Sequence, residues 1–297
     1  MTVFTKTGGT TSPLRARPSF IGCDSEYEDA KFVLFGAPFD STTSFRPGTR
    51  FASPAMRAES ARGIEMFSPY QNRGLEEISV CDAGDLELPF GSAARSLEQI
   101  EAFTGRVLDD GKIPVMLGGE HLVTLGAVRA AAARHSGLAI VHFDAHADLC
   151  DEFFGEALSH ATVIRRAWDI VGDNSIFQFG IRSGCREEFE WAPGRVSTER
   201  FKALSMEKTA EIISGRPIYI TLDLDVLDPS EFPGTGTPEA GGISFTELLD
   251  AMMKLAAKNR QNIVGFDLCE LSPHYDTSGI STAAACKILR EMLLVLG

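Results

Sequence analysis

The chain has 297 residues, 44 % hydrophobic and 23 % charged, an ordinary globular composition at a length that buries a large core without disulfides. Its formal net charge of −13 argues against a nucleic-acid partner, which needs clustered Lys and Arg, and suits cationic substrates or bound metal ions. The six cysteines form no CxxC pair and point to free thiols in a reducing, cytoplasmic compartment, and no run approaches the ~20 apolar residues of a membrane helix.

The first stretch, rich in Thr, Gly, Ser and Pro, has no apolar core ahead of a cleavage site and reads as a loose arm. Residues 1–24 are therefore expected to stand outside a single domain of residues 25–297. Short apolar runs follow at 32–37, 78–83, 113–117, 138–143, 176–179, 218–222 and 263–269. Most are continuous rather than alternating, as in strands buried on both faces of a parallel sheet. Helical patterns lie between them at 93–110, ending at Gly111, at 122–135, at 244–258 and at 282–296. Ser244 with Glu247 three positions on is a capping-box signature. Strand–helix alternation predicts an α/β fold with helices on both sheet faces.

The unusual residues stand where the apolar runs end. Residues 113–117 lead into Gly118-Gly119-Glu120-His121, and 138–143 into Asp144-Ala145-His146-Ala147-Asp148. Residues 218–222 lead into Asp223-Leu224-Asp225, and 263–268 into Cys269-Glu270. Ligands of open α/β sheets sit outside the carboxyl ends of the strands, so these segments are expected to converge. Residues i, i+2 and i+4 of an extended segment face one way, which aims Asp144, His146 and Asp148 at one point and Asp223 with Asp225 at another. Four clustered carboxylates cannot all ionise without compensation, and two divalent cations balance them. The expectation is a two-metal site of His121, Asp144, His146, Asp148, Asp223 and Asp225 that activates water. Its mostly oxygen donor set suits Mn²⁺, with other divalent metals open. A calcium loop is excluded at Asp223–Gly234, because Asp228 stands where such a loop needs Gly and Gly234 where it needs Glu. Residues 234–238, GTGTP, are not a dinucleotide fingerprint. His142 reads as packing or as support for a ligand.

These motifs resemble the ureohydrolase family of arginase and agmatinase. The likeness covers nearly the whole chain after the first 25 or so residues. GGEH, DAHAD and DLDVLDP are similar to the family's metal motifs, while GAPFDSTTSFRPGTRFASPAMR, PGTGTPEAGG and LSHATVIRRA look like the agmatinase branch. The resemblance implies a three-layer α/β/α sandwich around a mainly parallel, eight-stranded sheet. It implies one ion on His121, Asp144, Asp148 and Asp223 and a second on Asp144, His146, Asp223 and Asp225, with Asp144 and Asp223 bridging. His160 matches the family's proton-transfer histidine and Glu270 its guanidinium-binding acid, with Asp148 relaying a proton to the leaving nitrogen. Ala161 departs from the Gly that many agmatinases carry after this histidine. Homo-oligomers, hexamers or trimers, are implied as well.

The resulting expectation is hydrolysis of a small cationic guanidino substrate to urea and an amine, with agmatine giving putrescine. Asp151, Glu152 and Glu156, in the loop before His160, are expected to repel a carboxylate tail and to favour the ammonium of agmatine. Guanidinobutyrate hydrolase and arginase are the alternatives within the class. A non-catalytic, metal-stabilised relative and a two-metal phosphoesterase using Arg165 and Arg166 are the alternatives outside it.

Overall fold

The computed structural model describes residues 18–297. Eight strands form one sheet: β1 (Phe32–Gly36), β2 (Val80–Asp85), β3 (Ile113–Leu117), β4 (Ala139–Phe143), β5 (Ile176–Ile181), β6 (Val196–Arg200), β7 (Ile218–Asp223) and β8 (Ile263–Cys269). Their order is β2-β1-β3-β8-β7-β4-β5-β6, and every neighbouring pair is parallel. The sheet is thus wholly parallel where a mainly parallel one was expected. All residues of β1, β4, β5 and β7 are buried, because helices cover both faces.

Alternation along β1 shows the two layers. Phe32 and Leu34 pack into one core with Met56, Leu248 and Leu289, whereas Val33 and Phe35 pack into the other with Ile100, Val128 and Ile164. The first layer is supplied by α1 (Ala52–Gly63), α6 (Met206–Ile212), α7 (Phe245–Asn259) and α8 (Ile280–Leu296). The second is supplied by α2 (Ala93–Asp109), α3 (Thr124–Arg134) and α4 (Val163–Val171), joined at its margin by α5 (Arg186–Trp191). This is the three-layer α/β/α sandwich. Each Leu, Ile or Phe fully removed from water contributes about 1.5–3 kcal/mol, so the two layers hold the sheet rigid beneath its loops.

The local signals act as expected in α2 and α7. Gly111 takes φ +71° just beyond α2. At α7, the Ser244 hydroxyl accepts from Glu247 N–H at 3.2 Å and Glu247 Oε2 accepts from Ser244 N–H at 2.8 Å. Of the expected arm, residues 1–17 lie outside the described residues. Its last part is packed: Phe20 and Cys23 are buried, and Phe20 N–H donates to Asp82 Oδ2 at 2.9 Å. Among the described residues no helix is long and apolar enough to cross a membrane.

Candidate metal centre

Four central strands bring the motif residues together. Leu117 pairs with Leu268, Leu268 with Leu222, and Leu222 with Phe143, so β3, β8, β7 and β4 share one rung. The residues immediately after that rung are Gly118, Cys269, Asp223 and Asp144. Because the strands are parallel, all four chains then open into loops at the same edge. Gly119 is required there: a Cβ at this position would stand 1.9 Å from the Phe39 carbonyl oxygen.

His121 Nδ1 is the centre of one cluster. Oδ2 of Asp144 and Oδ2 of Asp148 each lie 3.0 Å from it, and Oδ2 of Asp223 lies at 3.4 Å. None of these contacts has hydrogen-bond geometry, and the nitrogen is buried without a partner. Donor atoms that converge without bonding to one another are arranged as ligands around a cation. A second cluster lies alongside, with His146 Nδ1 3.1 Å from Asp225 Oδ2 and 3.4 Å from Asp144 Oδ1. Asp144 therefore offers one oxygen to each cluster. Asp223 offers Oδ2 to the first, while its Oδ1 accepts from Asp225 N–H at 2.9 Å.

The six expected ligand residues are thus brought together, all buried except His146, which is partly exposed. No Lys or Arg among the described residues lines the cleft above them. Four carboxylates with no Lys or Arg among them need a positive charge from protons on their own cluster or from bound cations. The His/Asp cluster fits divalent metal ions on these grounds.

Several residues of the cluster are also held from behind. His121 Nε2 lies 2.9 Å from Thr221 Oγ1, which donates to Asp267 Oδ1 at 2.8 Å, while Tyr219 donates to Asp267 Oδ2 at 2.8 Å. His142 supports Asp144 and is not itself aimed at the cluster: the Gln178 amide donates to Nδ1 at 3.0 Å, leaving Nε2–H to donate to Asp144 Oδ2 at 2.8 Å. Arg182 pins the second cluster from behind by donating to the carbonyl oxygens of Asp225 and Glu239 at 2.7 and 2.8 Å.

Burial governs protonation here. Burial and the Asp144 charge push Asp148 up to about 7. Burial, with Asp225 and Asp144 beside it, pushes Asp223 well above the usual carboxylate range. Burial also opposes a charged imidazole, yet Asp144 and Asp148 push His121 well up, as Asp225 and Asp144 do for His146. For Asp144 burial acts upward too, but the imidazoles of His121, His142 and His146 against it hold it well below its ordinary value. The protons of the cluster thus occupy sites that divalent cations would take over.

A cleft of about 400 Å³ opens over the cluster, and both His160 and Glu270 line it. Asp148 and Glu270 hold φ of +53° and +65°, backbone strain at two of the expected functional residues. His160 Nδ1 donates to the Thr42 carbonyl oxygen at 3.0 Å, so Nε2 is the acceptor and takes a hydrogen bond from Ser44 Oγ at 3.1 Å. Burial and the nearby His146 and His121 lower its pKa. Burial also pushes Glu270 well up, aided by the charges of Glu120 and Asp225.

The acidic loop does not face the cleft as expected. Asp151, Glu152 and Glu156 are exposed and absent from its walls, where Phe153 stands instead. Asp151 turns to Arg166 at 2.5 Å and to Arg165 at 3.6 Å. Arg165 also stacks 3.9 Å from the Trp191 ring, so neither arginine is placed to hold a phosphate in the cleft. Ala161 sits in a short 3-10 turn, His160–Thr162, with an ordinary φ, and its methyl is accommodated.

Sequence reasoning missed Thr42, Ser44, Glu120, Thr221, Asp267 and Arg182. Glu120 is fully buried and accepts from Thr42 N–H at 3.0 Å and from the Thr43 hydroxyl at 2.9 Å, fixing the loop that holds His160. The run of hydroxyl residues at 41–44 was its one visible signal.

Three likenesses to known proteins accompany this geometry. Residues 30–295 match the model of the arginase family. The agmatinase of Bacillus anthracis is 48 % identical over 93 % of this chain and 95 % of its own, and the guanidinobutyrase of Pseudomonas aeruginosa is 36 % identical over 90 % and 86 %. The crystal structure of the agmatine ureohydrolase of Thermoplasma volcanium superposes with a TM-score of 0.85 at 33 % identity, covering 95 % of each chain.

Proposed function

The chain belongs to the arginase family, and on that premise we propose that it is a binuclear-metal ureohydrolase that cleaves agmatine to putrescine and urea. The observation that carries the reading is the convergence of unbonded His121 Nδ1 on three carboxylate oxygens in a cleft that also holds Glu270. The six residues His121, Asp144, His146, Asp148, Asp223 and Asp225 would hold two ions, Mn²⁺ by donor type. When bound, two such ions would supply an activated water and would stabilise the negative charge on its oxygen as it attacks the guanidinium carbon.

The chain's own residues do the rest. Glu270 offers a carboxylate to the planar guanidinium, a cation whose N–H groups match two oxygens. Its raised pKa favours such a partner, because a bound cation removes the penalty of the buried charge. Asp148, at the floor of the cleft, passes a proton to the leaving nitrogen. His160 is neutral near pH 7 and accepts or returns protons through Nε2, the nitrogen not tied to the Thr42 carbonyl. Phe153 supplies an apolar part of the cleft wall.

Agmatine as substrate rests on the relatives, among which the agmatinase is more similar than the guanidinobutyrase, and not on the acidic loop. A cytoplasmic homo-oligomer with one catalytic domain fits the same reading. Urea release from agmatine, arginine and guanidinobutyrate with added Mn²⁺ tests it. Agmatine should give the highest kcat/KM; preference for guanidinobutyrate would replace the substrate, and no urea from any of the three would remove the activity.

A further inference from the structure

A second set of metal-binding atoms lies in the same cleft and takes no part in the chemistry above. Beyond the ends of β4 and β5 the two chains stay paired, with Ser183 N–H donating to Ala145 O at 2.9 Å and Ala147 N–H to Ser183 O at 3.0 Å. Each then carries a cysteine, Cys150 and Cys185. Glu188, buried at the start of α5, staples the two segments: Oε1 accepts from Leu149 N–H at 2.8 Å and Oε2 from Cys185 N–H at 2.7 Å. Cys150 is fixed from its other side, where its N–H donates to Ala161 O at 3.2 Å. Cys150 Sγ, Cys185 Sγ and a Glu188 oxygen consequently lie within 4.8 Å of one another, and all three residues line the cleft.

We propose that Cys150, Cys185 and Glu188 form a separate site for one borderline-soft divalent cation of the Zn²⁺ type, at the wall of the cleft and distinct from the His/Asp cluster. The donor chemistry separates the two sites. Two thiolates and one carboxylate select Zn²⁺ or Cd²⁺, whereas the His/Asp cluster contains no sulfur and suits harder ions. Tetrahedral Zn–S bonds of about 2.3 Å set sulfur atoms about 3.8 Å apart, a spacing that small rotations of the exposed Cys185 side chain reach. Binding releases both thiol protons to solvent, and each Glu188 oxygen keeps a lone pair beyond its backbone hydrogen bond. Three protein ligands leave a fourth position for water.

The test uses reduced, Mn²⁺-saturated protein titrated with Cd²⁺ as the probe, following the near-ultraviolet thiolate-to-Cd²⁺ charge-transfer band. One equivalent should produce a band of two thiolate ligands. Cys150→Ser and Cys185→Ser should each abolish the tight equivalent, with folding checked by circular dichroism, while Cys81→Ser should leave it intact. Glu188→Asp, which keeps the carboxylate but shortens it, should weaken Cd²⁺ about ten-fold or more. No band in the wild-type protein, or an unchanged band in folded Cys150→Ser or Cys185→Ser, overturns the proposal. Because the readout is thiolate absorption, it is independent of whether the protein hydrolyses guanidines.

Discussion

The backbone N–H of His121 donates to Oε1 of Glu270 at 2.8 Å, across 149 residues of sequence. Glu270 N–H in turn donates to the Gly119 carbonyl oxygen at 3.0 Å. The residue proposed to bind the guanidinium is thereby locked to the motif that supplies the first metal ligand. Glu270 makes both hydrogen bonds from a backbone held at φ +65°.

This lock makes Glu270 separable from the metals. Glu270→Gln keeps an oxygen for the His121 N–H but loses the charge that meets a guanidinium. The variant is expected to retain both ions by elemental analysis while kcat/KM for agmatine falls by about 10²-fold or more. Loss of metal together with activity would assign Glu270 to the metal site.

Asp267 acts at a distance from the ions. It holds Thr221, which holds His121 Nε2, and Tyr219 completes its hydrogen bonds. Asp267→Asn should reduce metal affinity roughly 10–100-fold, the usual cost of disturbing a ligand's hydrogen-bonded support. Restoration of kcat by excess Mn²⁺ distinguishes this positioning role from a direct part in turnover.

His160 is held through Thr42, and Thr42 through Glu120. His160→Asn should lower kcat by about 10²–10⁴-fold with metal content unchanged, as for loss of a proton-transfer group. Glu120→Gln should lower kcat by a smaller factor, because it loosens the loop without removing the imidazole. Equal losses in the two variants would mean that the loop itself, and not the imidazole, is what matters.

The pH response of metal-free protein follows from the raised pKa values. Asp148, Asp223 and Glu270 are raised, as are His121 and His146, so the folded chain binds more protons than the unfolded chain near neutrality. Their stabilising contribution is present at lower pH and is lost as pH rises through about 7, the value for Asp148. The melting temperature of chelator-treated protein should therefore fall as pH rises from the ordinary carboxylate range through about 7, and Mn²⁺ should abolish that fall. A melting temperature that rises across the same range without metal would reverse the sign of the argument.

The parts of the molecule that sequence reasoning reached share a physical cause. Strands buried on both faces, such as β4 and β7, are continuous apolar runs. At the sheet edge β6 escaped notice because only Val196 is buried in it. Helix α1 escaped for a related reason: Ser53, Arg57 and Ser60 are among its buried residues, and Arg57 is satisfied by Asp82 and Asp85 rather than by an apolar core. Five of the six proposed metal ligands stood out because two short segments carry them at every second position, while His121 stood out only at the end of its own apolar run. The residues that hold those ligands did not, since Thr221, Asp267 and Arg182 meet them through contacts that leave no local spacing. The acidic loop was misjudged because composition does not say which way a side chain points, and Arg166 draws Asp151 away from the cleft.

Anomalous diffraction from a Mn²⁺-loaded crystal tests the central claim most directly. Two peaks about 3.5–4 Å apart are expected, one against His121 Nδ1 and the other against His146 Nδ1, with Asp144 touching both. A single peak, or one seated on His142 instead of His121, would contradict the two-ion site on which the proposed hydrolysis rests.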